Sequence, residues 1–165
     1  MAGEYTKFEI MDGVGIITMD RPESRNALIP DMVAEMGEAI QACKRTGVRA
    51  VLLAGSGGGF CSGADLKFVV ESLANQAQKG LQEYIRTLAS DLHTKVVLEL
   101  QRLEKPVVAS INGVAAGAGF SLMLGCDIRI AANSARFLMA YANIGAPADG
   151  GSSYLLPRLV GTGRA

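Results

Sequence analysis

Short runs of aliphatic residues alternate along the chain with longer stretches in which apolar positions recur every three or four residues. Strands that alternate with helices in this way are typical of an α/β architecture with mainly parallel pairing. Because no linker or low-complexity tract interrupts the pattern, we expect one domain over residues 1–165. The short runs predict β-strands at 7–11, 15–19, 50–54, 107–111 and 128–131.

Two longer stretches have helical periodicity. The first predicts an amphipathic helix that packs on the sheet, with Asn26 as its N-cap and Pro30 near its start. The second covers about 66–104 and is interrupted near 75–80. In the first helix, the apolar positions are Leu28, Met32, Met36, Ile40 and Cys43.

Composition and charge narrow the classes of function. The 165 residues include 16 basic and 16 acidic side chains, so no net field attracts nucleic acid or an acidic membrane surface. With one histidine and three widely separated cysteines, the chain predicts buried, reduced thiols and neither a zinc site nor a disulfide framework. The N-terminus has no basic segment followed by an apolar one, which favours a protein of the cytoplasm or an organelle matrix.

Residues 106–126 carry no charge and are long enough to suggest a membrane-spanning helix. The segment contains four glycines, however, together with Asn112 and Ser121. These residues favour a buried strand, a glycine turn and a buried helix instead. We therefore expect no membrane span.

Segments 48–66 and 105–124 are similar, since each predicts a buried strand, a glycine-rich turn and the start of a helix. A right-handed crossover between parallel strands places both turns at the same sheet edge, where ligands commonly bind. Free N–H groups in such turns suit an anion; a flexible loop or close backbone packing is the alternative explanation of the same glycines. The patterns of a P-loop and of a dinucleotide-binding turn are absent.

Ordered motifs along nearly the whole chain resemble the enoyl-CoA hydratase/isomerase, or crotonase, superfamily. They lie at 15–28, 60–67, 105–119, 126–137 and 156–165. The resemblance implies a spiral of ββα turns with mainly parallel sheets, an acyl-CoA thioester as ligand, and a homotrimer or hexamer. CoA then enters as part of the substrate, without a separate cofactor. Members continue into a further helical segment, so we expect this chain to be the N-terminal spiral, the catalytic core, truncated before most of that segment.

By the same resemblance, the backbone N–H groups of Ala64 and Ala118 form an oxyanion hole around the thioester carbonyl. One preorganised donor of this kind stabilises the transition state by roughly 2.7–4 kcal/mol. Arg25 and Lys67 are expected to meet phosphate oxygens of CoA as charge-assisted donors. The residues expected to bind the substrate are Ser24, Arg25, Ala27, Ser62, Gly63, Asp65, Leu66, Lys67 and Tyr141.

The residues that replace known catalytic groups indicate the reaction. Hydratases of the superfamily use two glutamates, and the corresponding positions here are Ser121 and Tyr141. These side chains do not replace a carboxylate pair near neutral pH. Asp149 stands where 3-enoyl-CoA to 2-enoyl-CoA isomerases carry an acid, and the ring-epoxide isomerases of phenylacetyl-CoA breakdown have an aspartate there. We therefore expect an acyl-CoA isomerase with Asp149 as the acid/base group.

Other functions remain open. In a dehalogenase-like enzyme Asp149 is a nucleophile that attacks an aromatic ring. The histidine of those enzymes is matched only by His93, one residue out of register, and Tyr141 replaces their tryptophan. A hydratase-like enzyme and a protein that binds acyl-CoA without turnover are further alternatives. A purely structural alternative is that Asp149 is the N-cap of a helix.

Overall fold

The computed structural model describes residues 3–74 and 79–165. Within these ranges, eight strands form two sheets. The strands are β1 (Thr6–Met11), β2 (Val14–Met19), β3 (Ala50–Gly55), β4 (Gly59–Cys61), β5 (Val107–Ile111), β6 (Val114–Ala116), β7 (Ile128–Ala131) and β8 (Arg136–Leu138). The larger sheet has the order β1-β2-β3-β5-β7 and the smaller one the order β4-β6-β8.

Neighbouring strands pair in parallel except in the β1–β2 hairpin. Three times the chain passes from the larger sheet to the smaller one and then enters a helical segment, which produces a spiral of ββα turns. The predicted α/β class and the five predicted strands are confirmed. The strands of the smaller sheet were not predicted, because three residues each are too few to reveal an alternating pattern.

Helices occupy the predicted stretches. They are α1 (Pro30–Cys43), α2 (Leu66–Ala74), α3 (Lys79–Asp91), α4 (Leu98–Gln101), α5 (Ala118–Leu124) and α6 (Ser152–Val160), with a π-helical segment at Leu92–Val97 and 3-10 segments at Pro22–Ser24 and Ala140–Ile144. The interruption predicted near 75–80 falls mainly on 75–78, which lie outside the described residues.

The prediction of Asn26 as the N-cap of α1 is wrong. The helix begins at Pro30, because proline suits a first helical position, and Ile29 occupies the N-cap position. Asn26 has a left-handed φ of 56°, a conformation that asparagine tolerates better than most residues. Its side chain is fully buried and bonds a glycine turn instead.

The core lies between the larger sheet and the helices. Alternate residues of β2, β3 and β5 are fully buried, among them Ile17, Leu53 and Val107. They share one hydrophobic cluster with the apolar face of α1 and with buried side chains of the π-helical segment and α4. Burial of this apolar area is the main favourable term in folding.

The uncharged segment 106–126 is divided among β5, β6 and α5, and every residue of α5 is buried. The predicted succession of buried strand, glycine turn and buried helix is therefore confirmed. Among the described residues, no helix is both long enough and apolar enough to cross a membrane.

Successive turns of the spiral contact each other through their backbones. A Cβ atom on Gly113 would overlap the carbonyl oxygen of Gly58, and one on Gly119 would overlap the carbonyl oxygen of Cys61. Neither neighbouring group is the end of a flexible side chain, so a larger residue would push the two turns apart. Glycine at these positions therefore sets the distance between turns.

We expect Gly113→Ala to lower the free energy of unfolding by about 1–3 kcal/mol, because its methyl group must displace the backbone at Gly58. Gly58→Ala is the matched control, since a Cβ atom there meets nothing within 4 Å. Urea unfolding followed by circular dichroism measures both variants. Equal stability of the two would contradict the close contact.

Candidate active site

The two glycine turns lie side by side, as the repeated pattern predicts. Gly63, with a φ of 94°, is so close to the second turn that a Cβ atom there would lie 2.8 Å from Ala116 O and 3.4 Å from Ala118 N. Ala64 follows Gly63 directly. The structure therefore brings the two expected oxyanion-hole residues, Ala64 and Ala118, into neighbouring turns.

The local backbone leaves both N–H groups available. Ala64 forms an isolated parallel bridge with Leu28. The bridge uses the carbonyl of Gly63 (2.7 Å) and the N–H of Asp65 (3.0 Å), so the N–H of Ala64 points away from Leu28. Ala118 is the first residue of α5, where an N–H group has no acceptor within the helix. In the described part of the chain, neither N–H donates a hydrogen bond.

Two asparagines that the sequence analysis did not identify as site residues hold the first glycine turn. The Asn26 side chain donates to the carbonyl oxygens of Ser56 (3.0 Å) and Gly59 (2.8 Å). The Asn112 side chain donates to two further carbonyl oxygens of the same turn, at 3.0 and 2.7 Å. These bonds connect the turn to the loop before α1 and to the end of β5. The position of Asn112 directly after a predicted strand is the one sequence signal for this role.

A cavity of about 670 Å³ opens beside Ala64. Most residues expected to bind the substrate line it, whereas Gly63 is buried behind it and Tyr141 lies elsewhere, next to Asp149. The lining residues are Arg21, Glu23, Ser24, Arg25, Ala27, Ser62, Ala64, Asp65, Leu66, Lys67 and Phe68. Loop residues before α1 and the first turn of α2 thus face one another across this space.

The charged side chains at the cavity differ in what they contact. Asp65 accepts hydrogen bonds from the N–H of Phe68 (3.1 Å) and from the guanidinium of Arg21 (3.0 Å). Burial raises the pKa of Asp65, but these two partners outweigh it and hold that pKa below its usual value. The Asp65 carboxylate is therefore part of the folded scaffold at the start of α2. Arg25 and Lys67 are exposed at the cavity.

A cluster of three polar side chains, Ser121, Tyr141 and Asp149, lies next to the second glycine turn. The Tyr141 hydroxyl donates to Oδ1 of Asp149 and lies 2.8 Å from Oγ of Ser121. Oγ of Ser121 also lies 3.3 Å from the carbonyl oxygen of Gly117. Ser121 is fully buried and Tyr141 is 8% exposed. The two hydroxyl residues expected at the positions of the hydratase glutamates are thus joined to Asp149.

The surroundings of the cluster shift the pKa values of both Tyr141 and Asp149. Burial raises the pKa of Asp149, and the Tyr141 hydrogen bond and the interaction with His93 offset this only in part. Burial also raises the pKa of Tyr141 far above its usual value, and the neighbouring Asp149 raises it further. Of the two groups, Asp149 therefore loses its proton the more readily, while Tyr141 keeps its proton near neutral pH.

The alternative that Asp149 merely caps a helix does not hold for its side chain. Gly151 occupies the N-cap position of α6, without a side-chain cap. The N–H and hydroxyl of Ser152 bond the backbone carbonyl of Asp149 at 3.0 and 2.8 Å. The carboxylate itself is therefore directed to Tyr141 and remains available for chemistry.

His93 lies in the π-helical segment, beside the same cluster. Its Cε1 atom lies 3.9 Å from the place a Cβ atom of Gly151 would occupy, and its electrostatic interaction lowers the pKa of Asp149. A π turn holds more residues than an α turn. His93 therefore approaches Gly151 and Asp149 from within this wider turn.

Over 3–74 and 79–165, no three histidine, cysteine, aspartate or glutamate side chains lie close enough together to hold a metal ion. The three cysteines are free and buried, as predicted. Burial raises the pKa of Cys61 and of Cys126 to about 12, so both thiols are protonated and unreactive near neutral pH.

The names of known proteins with similar sequences indicate different reactions of CoA thioesters. The chain is 38% identical over 163 residues to the 1,2-epoxyphenylacetyl-CoA isomerase of Escherichia coli strain K12, covering 98% of the chain and 60% of that enzyme. It is 37% identical over 162 residues to 4-chlorobenzoyl coenzyme A dehalogenase-2 of an Arthrobacter species, covering 98% of the chain and 57% of the dehalogenase.

The fold agrees with these sequences. The crystal structure of an enoyl-CoA hydratase from Bacillus halodurans matches with a TM-score of 0.86 and 34% identity, over 98% of this chain and 63% of the hydratase. The chain thus spans about 60% of the length of such relatives. The sequence profile of the enoyl-CoA hydratase/isomerase family matches residues 9–165. With its parallel ββα spiral and paired glycine turns, the chain belongs to this family, within the crotonase superfamily.

Proposed function

We propose that this chain carries the catalytic core of an acyl-CoA isomerase, which moves the double bond of a 3-enoyl-CoA to the 2-position or isomerises a related acyl-CoA. The observation that supports it is the composition of the Ser121–Tyr141–Asp149 cluster, which contains one carboxylate and two hydroxyls. Isomerisation needs one group that removes a proton and returns it. Asp149 meets that need because burial makes it a stronger base than an exposed aspartate.

The same cluster argues against efficient hydration. Addition of water across a double bond requires a base to activate the water and an acid to protonate carbon. At the two positions where hydratases of the superfamily carry glutamates, Ser121 and Tyr141 contact each other at 2.8 Å. Neither side chain ionises near neutral pH, so the second proton-transfer group is missing.

In the proposed reaction, the Asp149 carboxylate removes a proton from C2 of the 3-enoyl thioester. The electron pair of the broken C–H bond moves to the thioester oxygen and gives a conjugated dienolate. Asp149, now protonated, delivers that proton to C4, and the electrons return to form the double bond between C2 and C3. The proton count balances, and no water or redox partner takes part.

The N–H groups of Ala64 and Ala118 would hold the thioester oxygen during this reaction. Their turns are adjacent, and neither group has an acceptor in the described part of the chain. Donors fixed before the reaction stabilise the developing negative charge without reorganisation. The CoA portion would then extend into the cavity beside Ala64, toward Arg25 and Lys67. A trimer or hexamer remains a prediction of the family resemblance.

Dehalogenation is the second candidate, and the position of His93 favours it. The histidine lies beside Gly151 and interacts electrostatically with Asp149. In that reaction Asp149 would attack an aromatic carbon and form an aryl ester, with loss of halide. The absence of the tryptophan that those enzymes carry at the position of Tyr141 favours isomerisation.

We expect Asp149→Asn to lower kcat/KM for a 3-enoyl-CoA by about 10²–10⁴-fold, because the variant lacks the group that carries the proton. Formation of the conjugated 2-enoyl-CoA is followed by its ultraviolet absorbance. Asp12→Asn is the matched control, since Asp12 is exposed in the β1–β2 turn with a φ of 52° that asparagine also tolerates.

Three outcomes would contradict the isomerase proposal. The first is full isomerase activity in Asp149→Asn, and the second is faster hydration of 2-enoyl-CoA than isomerisation of 3-enoyl-CoA by the unchanged chain. Release of halide from 4-chlorobenzoyl-CoA, without isomerisation, would favour the second candidate.

Removal of the exposed cations should weaken CoA binding. We expect Arg25→Ala and Lys67→Ala each to raise the Kd for CoA by roughly tenfold at low salt, and less at high salt, because each change removes a charge-assisted hydrogen bond to phosphate. Titration calorimetry measures both. Arg45→Ala is the control, since Arg45 is exposed beyond the opposite end of α1. Equal weakening in all three variants would contradict a phosphate site at the cavity.

A further inference from the structure

We propose that Tyr141 is a positioning residue for Asp149, and that Ser121 acts on Asp149 only through Tyr141. The proposal rests on the function proposed above, in which Asp149 carries the proton. It assigns a role to the two hydroxyls that stand at the glutamate positions of the hydratases. The geometry that carries it is the buried chain of contacts from Gly117 through Ser121 and Tyr141 to Asp149.

The direction of the hydrogen bonds follows from the groups involved. An ionised carboxylate only accepts, so the single proton of the Tyr141 hydroxyl is donated to Asp149. In the Ser121–Tyr141 contact of 2.8 Å, Ser121 must then be the donor. The other acceptor within reach of Ser121, the carbonyl of Gly117, lies farther away at 3.3 Å. Ser121 therefore fixes the Tyr141 oxygen, and Tyr141 fixes the carboxylate.

This arrangement makes the two oxygens of Asp149 unequal. Oδ1 accepts from Tyr141, whereas in the described part of the chain no hydrogen bond to Oδ2 is present. Oδ2 is thus the oxygen that takes and returns the proton. When Oδ2 becomes protonated, Oδ1 still accepts from Tyr141, so the carboxyl group keeps its orientation between the two proton transfers.

The hydrogen bond from Tyr141 also changes the pKa of Asp149. A donor stabilises the charged carboxylate more than the neutral acid, so Tyr141 opposes the increase in pKa that burial causes at Asp149. Without the hydroxyl, the pKa of Asp149 rises further. Asp149 then stays protonated, and inactive as a base, up to a higher pH.

The test compares Tyr141→Phe, Ser121→Ala and the double variant in the full chain. The pKa of Asp149 is measured by carbon NMR of labelled aspartate, with Asp149→Asn for assignment, and this readout does not require turnover. We expect a higher pKa in Tyr141→Phe and a smaller increase in Ser121→Ala. In the Tyr141→Phe background, Ser121→Ala should cause no further change, because its effect passes through the missing hydroxyl.

Kinetics with a 3-enoyl-CoA provide the second readout. We expect Tyr141→Phe to lower kcat roughly tenfold to a hundredfold near neutral pH with KM nearly unchanged, and to move the acidic limb of the pH–rate profile to higher pH. Ser121→Ala should lower kcat about threefold to tenfold. Tyr154→Phe and Ser153→Ala are matched controls, since both residues are exposed on α6.

Circular dichroism confirms that each variant is folded before its titration is compared. An unchanged pKa of Asp149 in folded Tyr141→Phe would overturn the positioning role. So would an additive effect of Ser121→Ala in the double variant. A raised pKa in a chain whose Asp149→Asn variant retains full isomerase activity would instead overturn the proposed function and leave the hydrogen-bond assignment intact.

Discussion

The close approach of successive backbone turns at glycine is the constraint on which the rest of this structure depends. Gly113 contacts the backbone of the first glycine turn, Gly119 contacts β4, and Gly63 contacts the strand end at Ala116. None of these neighbours is a flexible side chain, so the distance between successive turns can hardly change. The two turns that carry the N–H groups expected to hold an oxyanion are adjacent because of these contacts.

The helix α5 connects this backbone framework to the candidate base. Its first residue is Ala118, and one turn later Ser121 bonds Tyr141, which bonds Asp149. One proposed donor for a thioester oxygen, Ala118, and the proposed proton carrier, Asp149, are therefore tied to one fully buried helix. A preorganised site requires such rigid support, because small displacements reduce the benefit of each interaction.

Polar side chains have different roles at the two ends of the site. Near the cavity beside Ala64, Asn26 and Asn112 satisfy backbone carbonyls, and Asp65 caps α2 while it pairs with Arg21. These groups hold loops in shape and leave the exposed cations free to meet a ligand. In the Ser121–Tyr141–Asp149 cluster, the polar chain ends instead on a carboxylate whose pKa burial raises, as the proposed proton transfer requires.

Aliphatic periodicity is a local signal, so the α/β class and the five strands of the larger sheet could be predicted from the sequence. Its ordered motifs also indicated the family, and that resemblance implied the candidate site residues. Which of these residues meet depends on the tertiary fold. The hydrogen bond from Tyr141 to Asp149 arises from a contact between separate elements. The same holds for the left-handed conformation in which Asn26 bonds the first glycine turn. The approach of His93 to Asp149 is likewise a contact between separate elements. Local periodicity does not predict such contacts, since they form only when separate turns of the spiral pack together.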